Sequence, residues 1–162
     1  MTEREAKAVA INARIRHGIP PEQADLVDAG RPNAGTVHGR LALGGSLTPE
    51  QWRVAEWYIR RHDAYQRASL SPGRRKANMP EDADPDDYAA RCQAAIGDWA
   101  AIVDCLVKAS IAKNLEDGFA MRTDLATILD CILVRELDLP DQTATLRRGL
   151  DVLGSQFLNN EP

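Results

Sequence analysis

Residues 30 to 68 read GRPNAGTVHGRLALGGSLTPEQWRVAEWYIRRHDAYQRA, and this stretch decides the fold class. Thr36 offers a hydroxyl to cap a helix that carries Val37, Leu41 and Leu43 on its turns. Gly44 and Gly45 stop that helix. Thr48-Pro49-Glu50-Gln51 then starts another, with a hydroxyl cap, proline at the first helical position and an acceptor three residues beyond the cap. The pattern is helix, glycine turn, helix. It fits a DNA-binding helix-turn-helix, whose second helix enters the major groove with polar residues near its N-terminus, and it fits a plain helical hairpin equally well.

The second helix, over residues 49 to 68, has Trp52, Ala55 and Ile59 on one stripe, widened by Val54, Trp57, Tyr58 and Tyr65. Arg53, Arg60, Arg61 and Arg67 bring positive charge mostly to its later half. Of the first-turn side chains only Gln51 and Arg53 suit base edges or phosphate, so the reading surface is thin. A packed helix with solvated arginines, a nucleic-acid element and a contact with a partner protein are the three readings it leaves open.

Helical periodicity extends outward in both directions. Upstream, Ala6, Val9, Ala10 and Ala13 are spaced for an amphipathic helix over 3 to 16, and PPEQADLVDAG offers a proline start and a glycine stop for a short one. Downstream, Asp86 or Asp87 caps a long helix over 87 to 109 carrying Cys92, Ile96, Trp99, Ile102, Val103 and Leu106, with Gly97 as the place where another helix crosses closely. A short turn or helix follows over 111 to 119. Two more helices are expected, from Thr123 or Asp124 to Glu136 and over 141 to 158. Leu146, Leu150, Leu153 and Phe157 give the last one a single apolar face. The expectation is an all-α protein of six or seven helices, with a basic N-terminal helical hairpin unit (1–68), a charged linker or loop (69–87) and an acidic helical bundle (88–162).

Charge follows the same division. Residues 1 to 76 hold thirteen Arg and Lys against eight Asp and Glu, a balance of +5, and residues 77 to 162 hold seven against sixteen, a balance of −9. The overall −4 therefore combines a half that can meet nucleic acid with a half that repels it. Within SLSPGRRKANMPEDADPDD, three prolines and a glycine interrupt regular structure, and Arg74, Arg75 and Lys76 precede a run of acids. That basic triplet is suited to gripping a phosphate backbone, with affinity that falls as salt rises.

Hydrophobic residues make up 44% and charged residues 27%, which excludes wholesale disorder. No apolar run reaches the length of a membrane span, and the opening MTEREAKAVAINARIRHG has no apolar h-region, so a cytoplasmic protein without a membrane partner is expected. Cys92, Cys105 and Cys131 lie 13 and 26 residues apart in apolar helical surroundings, a spacing that matches no zinc or iron–sulfur cluster and fits core thiols. His17, His38 and His62 are scattered. No phosphate-binding glycine loop, HExxH, EF-hand or GxSxG pattern occurs, so no catalytic residue, metal or cofactor is expected.

AGTVHGRLALGGSLTPEQWRVAEWY and DLPDQTATLRRGLDVLGSQF resemble parts of small, uncharacterised all-helical proteins of alphaproteobacterial prophages. The resemblance covers less than a third of the chain and implies a phage-like setting for a transcription regulator or DNA-packaging adaptor, with no residue-level role. Charge and helix position nominate Gln51, Arg53, Arg60, Arg61, Arg67, Arg74, Arg75 and Lys76 as nucleic-acid contacts. The functional expectation is a non-catalytic, self-associating DNA-binding regulatory protein that meets double-stranded DNA and a protein partner. The alternative is a structural or adaptor protein in a phage-related assembly that never touches nucleic acid.

Overall fold

The computed structural model describes residues 35–118 and 124–158. The expected helix over 3 to 16 and the short one after it lie outside the described residues, as does Phe119. Among the described residues the fold is all-α and contains no strand. The helices are α1 (Val37–Leu43), α2 (Pro49–Ala68), α3 (Pro72–Ala77), α4 (Pro85–Glu116), α5 (Leu125–Leu129) and α6 (Thr143–Leu153).

Local capping sets the first two. The Thr36 side chain accepts from the Gly39 N–H at 3.1 Å, and Gly44 closes α1. At the start of α2, the Thr48 hydroxyl accepts from the Gln51 N–H and the Gln51 side chain accepts from the Thr48 N–H, both at 3.1 Å. Such a reciprocal cap satisfies two N–H groups that a helix start otherwise leaves open. Gly45 turns the chain between the helices at φ 73°, a left-handed conformation that glycine adopts without steric cost.

Three expectations change. Residues 72 to 77, read as part of a loop, form α3, which starts on Pro72 and carries the basic triplet in its last turn. The long helix does not stop at 109: α4 runs through to Glu116, because no glycine or proline lies between residue 109 and Gly118, and within this extension the Ser110 hydroxyl donates to the Leu106 carbonyl at 2.8 Å. Gly97 does not mark a helix crossing, since a Cβ there would meet nothing within 4 Å. The close crossing is at Gly149 of α6, where a Cβ would run into the Leu129 side chain of α5.

The last two helices end in wider turns. α5 continues as a π-helical turn over Asp130–Val134, and α6 as another over Gly154–Leu158. A short 3-10 turn, Pro140–Gln142, leads into α6.

One core draws on residues from both sides of the 69–87 segment. Leu47, Val54, Ala55 and Tyr58 pack in the same cluster as Ile102 and Leu106 of α4, Leu125 and Leu129 of α5, and Leu146, Leu150 and Leu153 of α6. Burying each of the larger side chains contributes about 1.5–3 kcal/mol before chain entropy is subtracted. Trp99 of α4 anchors the contact with α2: Tyr58, His62 and Tyr65 lie with ring centroids 5.1, 5.1 and 5.6 Å from it. Ser110 ties α5 to α4, because its oxygen also accepts from the Leu125 N–H at 3.0 Å. Cys92 is buried, while Cys105 and Cys131 are half-buried.

Candidate nucleic-acid interface

The basic excess is local. Residues 1 to 34 hold five basic and five acidic side chains, a balance of zero; residues 35 to 76 hold eight and three, a balance of +5. All of the N-terminal excess therefore lies on α1, α2, α3 and their connections.

On α2, Arg53, Arg60 and Arg67 recur every seven residues, which places them along one line of a 3.6-residue helix over about 21 Å. All three are exposed. Arg53 has Glu50 at 3.5 Å, both side chains being largely in solvent, where such a pair is weak. Arg60 and Arg67 have no acidic partner within 4.0 Å among the described residues, and the same holds for Arg74, Arg75 and Lys76 on α3. α3 follows α2 after only Ser69, Leu70 and Ser71, so the triplet lies near the Arg67 end of the line.

Two nominated residues are engaged elsewhere. Gln51 is 8% exposed; besides completing the cap, its Nε2 donates to the Asp151 carboxylate of α6 at 2.8 Å. Arg61 donates to the Asp98 carboxylate of α4 at 2.6 Å and lies over the Trp57 ring at 5.7 Å from its centroid. The first is a structural joint between α2 and α6, and the second a joint between α2 and α4. Gln51 reads as a base contact because polarity at a helix start is legible in sequence, whereas Asp151, one hundred residues away, is not.

Two hollows border the arginine line. Arg53 and Arg60, with Trp52, Trp57, Asp151 and Ser155, line a groove of about 730 Å³. Arg67 lines a cleft of about 410 Å³ with Tyr88 and Arg91. Arg91, on α4, adds a positive charge to the track that nothing in the acidic half of the sequence signalled.

A second polar cluster sits beside α1. His38 is 2% exposed, its Nε2 lies 2.6 Å from the Glu56 carboxylate, and its Nδ1 is buried without a partner. Glu136, at φ 55°, accepts from the Val37 N–H at 2.6 Å. These contacts fasten α1 to α2 and to the end of α5's π turn. Among the described residues, no group of three or more His, Cys, Asp or Glu is arranged to hold a metal ion.

No helix of the described residues is long and apolar enough to cross a membrane. No family model, curated protein or solved structure matches the chain.

Proposed function

We propose that the protein is a non-catalytic DNA-binding regulatory protein of phage or bacterial origin that grips the phosphate backbone through Arg53, Arg60 and Arg67 of α2 and Arg74, Arg75 and Lys76 of α3. The observation that carries this reading is the line of exposed arginines at seven-residue intervals, continued by a basic triplet without acidic partners among the described residues. Guanidinium groups held on a rigid helix suit phosphate oxygens, and the resulting affinity is electrostatic and largely sequence-independent.

The engagement of Gln51 with Asp151 supports backbone gripping over base reading, since an amide held in a cap and an interhelical hydrogen bond is not available to an adenine edge. Titration of a labelled mixed-sequence duplex at two salt concentrations tests the proposal. Binding should weaken with a log-log slope of about −0.9 for each phosphate neutralised. Affinity unchanged by salt, or no binding at low salt, would contradict it.

The adaptor reading, without nucleic-acid contact, has one observation in its favour. α4 exposes Val107, Ile111 and Leu115 on its outer side, and exposed apolar patches mark protein contacts. In that case the arginine line would meet an acidic protein surface.

A further inference from the structure

We infer that the outer seam of α4 pairs antiparallel with the same seam of a second copy of this chain. The inference is independent of the nucleic-acid reading. It begins with the inner side of α4, where Cys92, Ile102, Leu106 and Ser110 are buried against the core. The opposite side carries an unbroken series of exposed positions from Ala90 to Leu115, separated by alternating steps of four and three residues. That 3.5-residue repeat is the spacing of a two-helix seam, here close to four heptads and about 38 Å long.

The occupant follows from how size and charge are distributed along the seam. Its N-terminal half is small, with Ala90, Ala94, Gly97 and Ala101, and its C-terminal half ends in Ile111 and Leu115, which are 53% and 61% exposed. Antiparallel self-pairing about an axis between Ala101 and Asp104 sets Ala90 opposite Leu115, Ala94 opposite Ile111, Gly97 opposite Lys108 and Ala101 opposite Asp104. Every layer then joins a small residue to a large one, so the helix axes keep a nearly constant separation. On the flank, Ala100 comes diagonally beside Val107 of the second copy. A parallel pairing would set Leu115 against Leu115 and alanine against alanine, splaying one end and leaving voids at the other.

Charge favours the same register. Lys108, bound within its own chain to Asp104 at 2.6 Å, comes beside Asp98 of the second copy, a carboxylate that also accepts from Arg61 of its own chain, where the missing Gly97 side chain leaves room for the lysine stem. The symmetry repeats the contact, giving two cross-chain pairs. The two Asp104 carboxylates flank the axis, each with its own Lys108. Parallel pairing would instead bring Asp104 onto Asp104 and Lys108 onto Lys108, which costs free energy. Charged positions confined to the middle of an otherwise apolar or small seam, here Asp104 and Lys108, fix register and orientation.

Sedimentation equilibrium of the full chain at up to about 100 μM tests the inference. A dimer is expected. Ile111→Glu with Leu115→Glu, both on exposed positions, should raise its dissociation constant by about tenfold or more while leaving the helical circular dichroism unchanged. Ala94→Leu gives a sharper test: it adds apolar surface but sets large against large opposite Ile111, so it should weaken the dimer, whereas an unspecific sticky face would associate more strongly. In a background with the three native cysteines changed to Ala, Ala94→Cys mixed with Ile111→Cys should give cross-linked heterodimers, and neither should cross-link with itself. A monomer throughout, a dimer indifferent to the glutamates, tighter association of Ala94→Leu, or self-cross-linking of the single cysteine variants would each overturn the pairing.

Discussion

Gly149 of α6 lies against Leu129 of α5 so closely that a Cβ on the glycine would overlap the leucine side chain. Both residues are buried, Leu129 completely, so the leucine can turn aside only within the core. In an exposed helix interior, replacing glycine by alanine stabilises by about 1 kcal/mol. At Gly149 overpacking opposes that gain, and Gly149→Ala should lower stability by a net of about 1–2 kcal/mol. Gly97→Ala, where a Cβ meets open space on α4, should raise it by up to about 1 kcal/mol. Urea denaturation of the two variants beside the parent checks both signs, and equal shifts would refute the crossing.

Tyr58 supplies a pH signature. It is 2% exposed, and burial, followed by the nearby Asp130 charge, raises its phenol above the ordinary tyrosine range. A raised folded-state value contributes stability that is fully present below the unfolded value, about 10, and is lost as pH climbs from there toward the folded value. Tyr58→Phe keeps the ring and removes the proton. Between about pH 9 and 11 the parent should therefore lose about 1 kcal/mol more than the variant, as read by denaturant midpoints across that range. Parallel loss in the two proteins would count against the phenol as the cause.

Gln51 is expected to behave as a structural residue. Gln51→Ala removes one half of the reciprocal cap of α2 and the hydrogen bond to Asp151, and should cost about 1–2 kcal/mol of stability. Its sequence preference on duplex DNA should equal that of the parent. A changed preference at unchanged stability, measured by competition among duplexes, would return Gln51 to the role of a reading residue.

Much of the fold was legible where its causes are local. The caps of α1 and α2 act within three residues, from Thr36 to Gly39 and from Thr48 to Gln51, and the glycine turn between the helices is written in Gly44-Gly45. The apolar face of α6 was equally plain, with Leu146, Leu150 and Leu153 all buried. What escaped depended on distant partners. Nothing near Ser110 announced that it would bond Leu125, nothing near Val37 pointed to Glu136, and the reason for Gly149 lay in Leu129. The site shows the same division. Arginine positions along α2 follow from helix geometry, but their availability is set by Asp98, which holds Arg61, and by Arg91, which joins Arg67 at its cleft.

The arginine line is tested most directly by fluorescence anisotropy of a labelled mixed-sequence duplex with the parent and two charge reversals, Arg60→Glu with Arg67→Glu and Arg74→Glu with Arg75→Glu, at low and moderate salt. These side chains are solvent-facing or, for Arg75, half-buried, and circular dichroism should confirm intact folds. Each double reversal should weaken binding at least about tenfold on every duplex tried and flatten its salt dependence by roughly two phosphates. Unchanged affinity and unchanged salt slope in both would contradict the phosphate-gripping account.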